Sequence, residues 1–97
     1  MLKKTRSAEG KARVTFVLPA QPNADHIHVA GDFNGWSPDA TIMEAGRRSG
    51  EWRTTLPLKA GRYRYRLVVD GKWVTDPNNQ YVEANQFGEL NNIVEVE

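Results

Sequence analysis

The 97-residue sequence predicts an all-β fold in which two antiparallel sheets pack face to face as a sandwich. Apolar and polar residues alternate in several short segments, which is typical of half-buried strands. Turn-forming residues recur about every eight to twelve positions, as they do in sandwich domains. No segment keeps a helical apolar period over three turns. We therefore expect one domain over residues 11–97, preceded at residues 1–10 by a polar tail that is disordered or part of a linker.

Three strands are predicted in the first half of the chain, at residues 12–18, 26–31 and 41–44. In the first strand, Val14, Phe16 and Leu18 share the face that we expect to be buried. In the second strand, Ile27 and Val29 likewise share the face that we expect to be buried. The loop that follows, with the sequence GDFNGWSPD, is dense in turn formers.

Four more strands are predicted at residues 51–58, 62–69, 72–75 and 90–96. In the first of these, Trp52 falls on the apolar face, which places it in the core. The 62–69 strand has aromatic and aliphatic residues on one face and arginines on the other. Asp70 and Gly71 form a strong two-residue hairpin signal between the next two strands. Residues 81–88 carry no regular pattern and are expected to be irregular.

The composition excludes several classes of protein. The chain has 13 basic and 12 acidic residues, so its net charge of +1 does not suggest a nucleic-acid or membrane partner. It contains no cysteine, which excludes disulfides and thiolate metal sites and fits a reducing compartment, so we expect a cytoplasmic location. The basic N-terminus lacks the apolar segment of a signal peptide, and no apolar run is long enough to span a membrane.

The sequence offers no catalytic constellation. There is no cysteine nucleophile, no glycine-rich phosphate loop and no carboxylate pair that stands out as an acid/base couple. His26 and His28 could share a strand face as two ligands of a zinc site, but an exposed polar face explains them more simply. We therefore expect no catalytic residue, no metal and no cofactor, and a binding module rather than an enzyme.

Trp36 and Trp73 do not fit the core pattern, because one lies in a polar loop and the other lies just after a tight turn. Two interpretations are open: both rings pack under loops, or both stack against a ligand. A sugar suits the second interpretation, because its C–H face stacks on indole and its hydroxyls pair with amides and cations. The polar candidates for such pairing are Asn34, Arg66, Asn85, Gln86, Asn91 and Asn92.

The arginine row at Arg62, Arg64 and Arg66 also has two interpretations. Alternating arginines on an outer strand face are usually solvated, and they discourage pairing between sheet edges. A single-stranded nucleic-acid platform also combines aromatic rings with a basic groove. The near-neutral total charge favours the first interpretation.

Three motifs in order resemble the family-48 carbohydrate-binding modules: GDFNGW at 31–36, YRYRLVVDGKW at 63–73 followed by Asp76-Pro77, and FGELNNIVEV at 87–96. That family includes the glycogen-binding domain of the AMP-activated protein kinase β subunit and the N-terminal domains of glycogen branching and debranching enzymes. The similarity extends from about residue 14 to residue 96. It implies an immunoglobulin-like antiparallel β-sandwich of the early-set type, and a core role for Trp52.

The resemblance also implies a set of sugar-binding residues. Two stacking tryptophans of the kinase-type domains fall on Trp36 and Trp73. A sugar-contacting lysine falls on Arg66, which keeps the charge but donates through a planar fork. A leucine that passes through a curved glucan falls on Phe87. The remaining two contacts, a threonine and an asparagine in the family, fall on Glu89 and Asn91 respectively.

The predicted function is non-catalytic binding of an α-1,4-glucan such as glycogen, starch or maltodextrin. The partner is therefore an α-glucan oligosaccharide or polysaccharide. The alternative is a protein-interaction or regulatory domain that docks a kinase or a glucan-processing enzyme. A third interpretation is that the chain is an excised non-catalytic domain of such an enzyme.

Overall fold

Nine strands form two antiparallel sheets in the computed structural model, which describes residues 3–6, 11–21 and 23–96. The strands are β1 (Lys3–Arg6), β2 (Lys11–Leu18), β3 (Ile27–Gly31), β4 (Glu44–Ala45), β5 (Trp52–Lys59), β6 (Gly61–Val69), β7 (Lys72–Val74), β8 (Val82–Ala84) and β9 (Leu90–Val96). The first sheet has the order β1-β2-β5-β4, and the second has the order β3-β6-β9-β8, with β7 also paired to β6. The predicted all-β sandwich is confirmed. Among the described residues there is no helix with the length and apolar character needed to cross a bilayer.

The core lies between the two sheets and follows the alternation of the sequence. Val14, Phe16 and Leu18 of β2 are buried, as are Ile27 and Val29 of β3. The core cluster also contains Trp52, Met43, Tyr65, Leu67, Val94 and Val96, so the predicted core role of Trp52 is confirmed. Because side chains alternate along each strand, the residues between these positions face outward from the sandwich.

Four residues of the predicted N-terminal tail form a strand instead. Lys3–Arg6 is β1, which pairs antiparallel with β2 from Lys3 opposite Thr15 to Arg6 opposite Ala12. The tail prediction was wrong here because it relied on apolar periodicity, whereas a ladder requires only backbone N–H and C=O groups. β1 pairs with the edge of β2 and becomes the edge strand of the first sheet. Charged residues are common on edge strands. The other predicted tail residues, 1–2 and 7–10, lie outside the described part.

Three further boundaries differ from the sequence prediction. The strand predicted at 41–44 is reduced to β4 at Glu44–Ala45, although Ile42 forms an isolated bridge with His28. The segment expected to be irregular contains β8, which pairs with β9. β3 begins at Ile27, so His26 lies before the strand. Short edge strands such as β4 and β8 carry too few residues to establish a visible period.

The hairpin between β6 and β7 has the predicted two-residue turn. Val69 pairs with Lys72, and the intervening Asp70 and Gly71 have φ angles of 48° and 84°. Positive φ at both central positions is the geometry that suits the twist of a two-residue hairpin. The Asp70 carboxylate also accepts hydrogen bonds from the backbone N–H groups of Asp25 and His26. The turn is therefore anchored to the segment that leads into β3.

A buried polar network attaches the segment after β7 to β6 and β9. The Tyr65 hydroxyl donates to Asp76 Oδ2 at 2.8 Å and accepts from Asn79 Nδ2 at 3.0 Å. The Asn92 side chain accepts from the backbone N–H of Asp76 and donates to the carbonyl groups of Asp76 and Asn79. Buried polar groups are tolerated when they are paired in this way. The network thus orders the chain directly behind β7, the strand that contains Trp73.

Candidate functional site

The loop after β3 positions Trp36 through a glycine and an asparagine. A side chain at Gly31 would lie only 2.5 Å from the Arg64 carbonyl oxygen and 2.8 Å from Tyr65 Cβ, so only glycine fits there. Asn34 Oδ1 accepts from the Gly31 N–H, while Asn34 Nδ2 donates to the Val29 carbonyl at 2.8 Å. These contacts hold the GDFNGW turn against the second sheet.

Trp36 itself has left-handed backbone geometry, with φ at 59° directly after Gly35 at 67°. This conformation costs a bulky L-residue roughly 1–2 kcal/mol, and such outliers concentrate at functional sites. The Trp36 N–H donates to the Gly31 carbonyl at 2.9 Å, and its indole Nε1–H donates to Asp32 Oδ1 at 2.9 Å. Both ends of the residue are therefore held in place.

Trp73 lies beside Trp36 on the outer face of the second sheet. In β6, Tyr65 and Leu67 face the core, so Val68 faces outward, and Val68 is the cross-strand partner of Trp73. The Trp36 and Trp73 ring centroids are 6.5 Å apart, with 31° between the ring planes. Trp73 is 39% exposed and Trp36 is half-buried. We call this pair the tryptophan platform.

Arg66 joins the platform to the turn that contains Glu89. Its Nη1 donates to Glu89 Oε2 at 2.9 Å, and its Nη2 donates to the Trp73 carbonyl oxygen at 3.3 Å. The Arg66 side chain is only 14% exposed, whereas the Glu89 side chain is 58% exposed. Among the residues that the structure describes, none is a hydrogen-bond partner of the buried Arg66 Nε. The two hydrogen bonds fix the guanidinium plane, and the Glu89 carboxylate keeps a second acceptor oxygen.

Phe87 and Asn91 lie on either side of Glu89 in the chain, but in different environments. Phe87 is 77% exposed at the turn between β8 and β9. Asn85 Oδ1 accepts from the N–H groups of Phe87 and Glu89, which fixes the shape of that turn. Asn91 is only 6% exposed, and no hydrogen bond of its side chain is found within the described ranges. As a whole residue, Asn91 is therefore largely buried, in contrast to Phe87.

Glutamates neutralise the arginine row. Glu83 forms ion pairs with Arg62 and Arg64, and Arg62 also lies near Glu95. The hydrogen bond from Arg64, together with the charges of both arginines, lowers the pKa of Glu83 in spite of desolvation, and the same bond raises the pKa of Arg64. Since Arg66 is paired with Glu89, each arginine of the row has an acidic partner. This outer face is a balanced ion-pair surface rather than a cationic groove.

His26 and His28 do not belong to any cluster of metal-ligating side chains in the described part of the chain. His28 lies in β3 and His26 precedes it, and the residues at 3–6, 11–21 and 23–96 contain no cluster of three or more side chains suited to a metal ion. The surface around the platform contains two aromatic faces, an arginine and polar acceptors. Groups of this kind are chemically suited to stacking and hydrogen bonding.

Comparison with known families identifies the kind of domain. Residues 14–97 match the family described as the glycogen recognition site of AMP-activated protein kinase. The chain belongs to this family. It is a carbohydrate-binding module and hence a binding domain, not an enzyme.

Relatives of this glycogen-recognition domain include β subunits of a protein kinase. It is 32% identical over 89 residues to the β-1 subunit of 5'-AMP-activated protein kinase from Sus scrofa, covering 92% of this chain and 68% of that protein. It is 31% identical over 86 residues to the β-2 subunit from Homo sapiens, covering 89% of this chain and 30% of that protein. The domain thus spans under a third of the length of the β-2 subunits that it matches.

Solved structures confirm the immunoglobulin-like sandwich of this glycogen-recognition domain. A ferric enterobactin esterase from Salmonella typhimurium matches with a TM-score of 0.80 at 15% identity, over 98% of this chain and 34% of that chain. A maltogenic amylase from S. marinus matches with a TM-score of 0.75 at 20% identity, over 91% and 14% of the two chains. At these identities the likeness concerns the fold alone.

Several amides proposed from the sequence have structural roles in the glycogen-recognition domain. Asn34 and Asn85 shape the two turns, and Asn92 belongs to the buried network, whereas Gln86 is exposed on the β8–β9 turn. Sequence reasoning did not identify Asp32, which holds the Trp36 indole. Its position inside the GDFNGW motif, four residues before the tryptophan, was the available signal.

Proposed function

We propose that this domain binds an α-1,4-glucan by stacking two glucose units on the tryptophan platform, without transforming the sugar. The observation that carries the proposal is the meeting of Trp36 and Trp73, 6.5 Å apart, on one solvent-facing surface. The Trp36 indole is held by Asp32, and the Trp73 backbone is held by strand pairing and by Arg66, so little order is lost when a ligand binds. Two indole planes tilted by 31° suit a curved chain of sugar rings better than a flat one.

Polar groups beside the platform supply hydrogen bonds for the sugar. Arg66 donates from its remaining guanidinium N–H groups, and Glu89 accepts through its second carboxylate oxygen. Phe87 adds an exposed apolar face at the edge of the site. Asn91, which is largely buried as a residue and opposite Glu83 in the β8–β9 pair, is the sixth residue of the proposed site. The proposed site therefore consists of the six residues that were inferred from the sequence.

The expected affinity is moderate. Each indole covers on the order of 100 Å² of sugar surface, worth about 2.5 kcal/mol at ~25 cal/mol per Å². After the cost of association, two stacks correspond to a Kd of roughly micromolar to millimolar. Weak single contacts suit a polymer such as glycogen, whose many chain ends raise the effective concentration.

Titration of the domain with maltoheptaose or β-cyclodextrin tests this proposal, with indole fluorescence and calorimetry as readouts. We expect saturable binding that Trp36→Ala and Trp73→Ala each abolish or weaken by at least about tenfold. Thr55→Ala, on the outer face of the first sheet, is the matched control and should bind as the parent does. No response at millimolar sugar, or binding by both tryptophan variants with the affinity of the parent, would contradict the proposal.

A second candidate is docking to a kinase or to a glucan-processing enzyme. It is favoured by the relatives, which are subunits of a protein kinase, and by the outer face of the first sheet, where Arg13, Arg53 and Lys59 are exposed opposite the platform. Copurification of the full gene product with a kinase catalytic subunit, unaffected by Trp36→Ala and reduced by Arg13→Glu, would support it.

A cytoplasmic location also stays a prediction, which imaging of the tagged gene product would test.

A further inference from the structure

A second surface on this domain combines an exposed aromatic ring with polar groups. It is an open groove of about 870 Å³ beside β8, and its lining includes Arg62, Pro77, Gln80, Tyr81, Ile93 and Glu95. None of these residues belongs to the tryptophan platform or to the site inferred from the sequence. The groove therefore requires its own explanation.

Tyr81 is held rigidly while its ring faces solvent. Tyr81 is 67% exposed, which is one of the largest exposures among the apolar and aromatic residues that the structure describes. Its backbone N–H donates to Asn79 Oδ1 at 3.0 Å, and its carbonyl accepts from the Ile93 N–H at 2.9 Å. Asn79 is itself anchored to Tyr65 in the buried network. An aromatic ring on a fixed backbone loses little freedom when it contacts a ligand.

The chemistry of the groove repeats that of the main site. Ile93 forms an apolar floor, and the Tyr81 ring forms an apolar wall. Arg62 carries a guanidinium that is 54% exposed and is oriented by ion pairs with Glu83 and Glu95. The Gln80 amide is exposed on the rim. An aromatic face beside a paired cation and an amide favours a neutral, hydroxyl-rich ligand over a charged one.

The groove and the tryptophan platform include residues of strands that both pair with β6 in the second sheet. Trp73 is opposite Val68 on β6, and Arg64, four residues earlier on β6, is opposite Ile93. The Ile93 N–H in turn bonds to Tyr81. Four residues of strand correspond to about 13 Å, so the two aromatic surfaces are separated by a length that a few sugar units span. The Arg64–Glu83 ion pair lies between them and offers hydrogen-bonding groups along the path.

We propose that the Tyr81 groove is a second contact site for the same α-glucan chain that occupies the tryptophan platform. This inference rests on the proposed function and extends it from a two-ring contact to a path across the sheet. Short oligosaccharides reach only the platform, whereas longer chains also contact Tyr81. Chain-length preference therefore resides in the groove, and the basic capacity to bind resides in the platform.

The test compares Tyr81→Ala, Tyr81→Phe and the parent domain by calorimetry, using maltotriose and a long linear maltodextrin. We expect Tyr81→Ala to leave the maltotriose Kd unchanged and to weaken long-chain binding by about five- to tenfold, the value of one partial aromatic stack. Tyr81→Phe should retain the long-chain affinity, because the ring persists. Thr55→Ala is the control with unaltered binding of both ligands. In the parent, NMR shifts of the Tyr81 and Ile93 amides should respond to the long ligand only.

Each outcome separates this inference from the proposed function. If Trp36→Ala and Trp73→Ala lose both ligands while Tyr81→Ala binds the long chain as the parent does, the groove is not a glucan contact and the platform stands. Equal shifts of the Tyr81 and Ile93 amides with both ligands would also overturn the inference. If the tryptophan variants bind both ligands normally, the proposed function fails and this extension fails with it. Because Tyr81 is largely exposed, a thermal melt should show that Tyr81→Ala retains the parent fold.

Discussion

Asp32 Oδ1 accepts the indole N–H of Trp36 at 2.9 Å, while its other carboxylate oxygen accepts the backbone N–H of Arg64 at 2.9 Å. One carboxylate thus ties the ring of the platform to the central strand of the second sheet. The arrangement makes Asp32 a positioning residue for sugar binding, although it need not contact the sugar. It also explains how an exposed loop presents a tryptophan in one orientation.

Asp32→Ala should weaken glucan binding about three- to tenfold and lower the free energy of unfolding by about 1–3 kcal/mol, since two hydrogen bonds are lost. Asp32→Asn should lie between the parent and the alanine variant, because its amide has a single acceptor oxygen. The chemical shift of the Trp36 indole N–H, followed by NMR, reports the change of ring environment directly. A stability loss with unaltered Kd and an unaltered indole shift would assign Asp32 a purely structural role.

Gly31→Ala should destabilise the domain by about 1–3 kcal/mol, because the added Cβ would collide with the Arg64 backbone and with Tyr65. Gly35→Ala is the matched comparison: its Cβ meets nothing within 4 Å, but its φ of 67° makes an L-residue strained. We expect a loss of only about 1 kcal/mol there. Denaturant unfolding of both variants measures the difference. Equal losses would show that small shifts of the neighbouring atoms relieve the collision at Gly31, whose backbone is extended.

Alkaline pH should unfold the domain through Tyr65. Burial, and secondarily the negative charge of Asp76, raises the pKa of the Tyr65 hydroxyl above its usual range. The folded state therefore retains this proton, and the associated stability is complete below the unfolded pKa of about 10 and is lost as the pH rises above it. Tyr65→Phe should flatten this decline, while costing about 1–3 kcal/mol at neutral pH because Asp76 and Asn79 lose a partner. A parallel decline in both proteins, measured by denaturant unfolding between neutral and alkaline pH, would contradict this role.

Glucan binding should be nearly independent of salt, because the sugar is uncharged and the arginine row is paired with glutamates. We expect the Kd to change by less than about twofold between low and high ionic strength, unlike the steep dependence of a nucleic-acid platform. Arg66→Ala should weaken binding about tenfold at every salt concentration, since neutral-ligand hydrogen bonds are lost. Calorimetric titrations at several salt concentrations measure both effects. A steep salt dependence of the parent would indicate an anionic ligand.

Much of the fold followed from the sequence because it depends on local rules. Alternation predicted β2, β5, β6 and β9 and the core position of Trp52, and the Asp-Gly pair predicted the hairpin before Trp73. The backbone pairing of β1 and the two-residue β4 leave no such period, so their positions could not be read from the chain alone. The near-burial of Asn91 was also beyond the pattern, because it depends on the side chains that surround it from neighbouring strands.

The sequence by itself determined the strand periodicity, the tight turns and the presence of two tryptophans outside the core pattern, because each depends on residues that are close in the chain. The tertiary structure decided that Trp36 and Trp73 meet, that Asp32 holds the indole of one and that Arg66 touches the carbonyl of the other. It also decided that Tyr81 lies along the same sheet face. These relations depend on which strands pair and in what register, and residues distant in the chain acquire them only when the two sheets pack together.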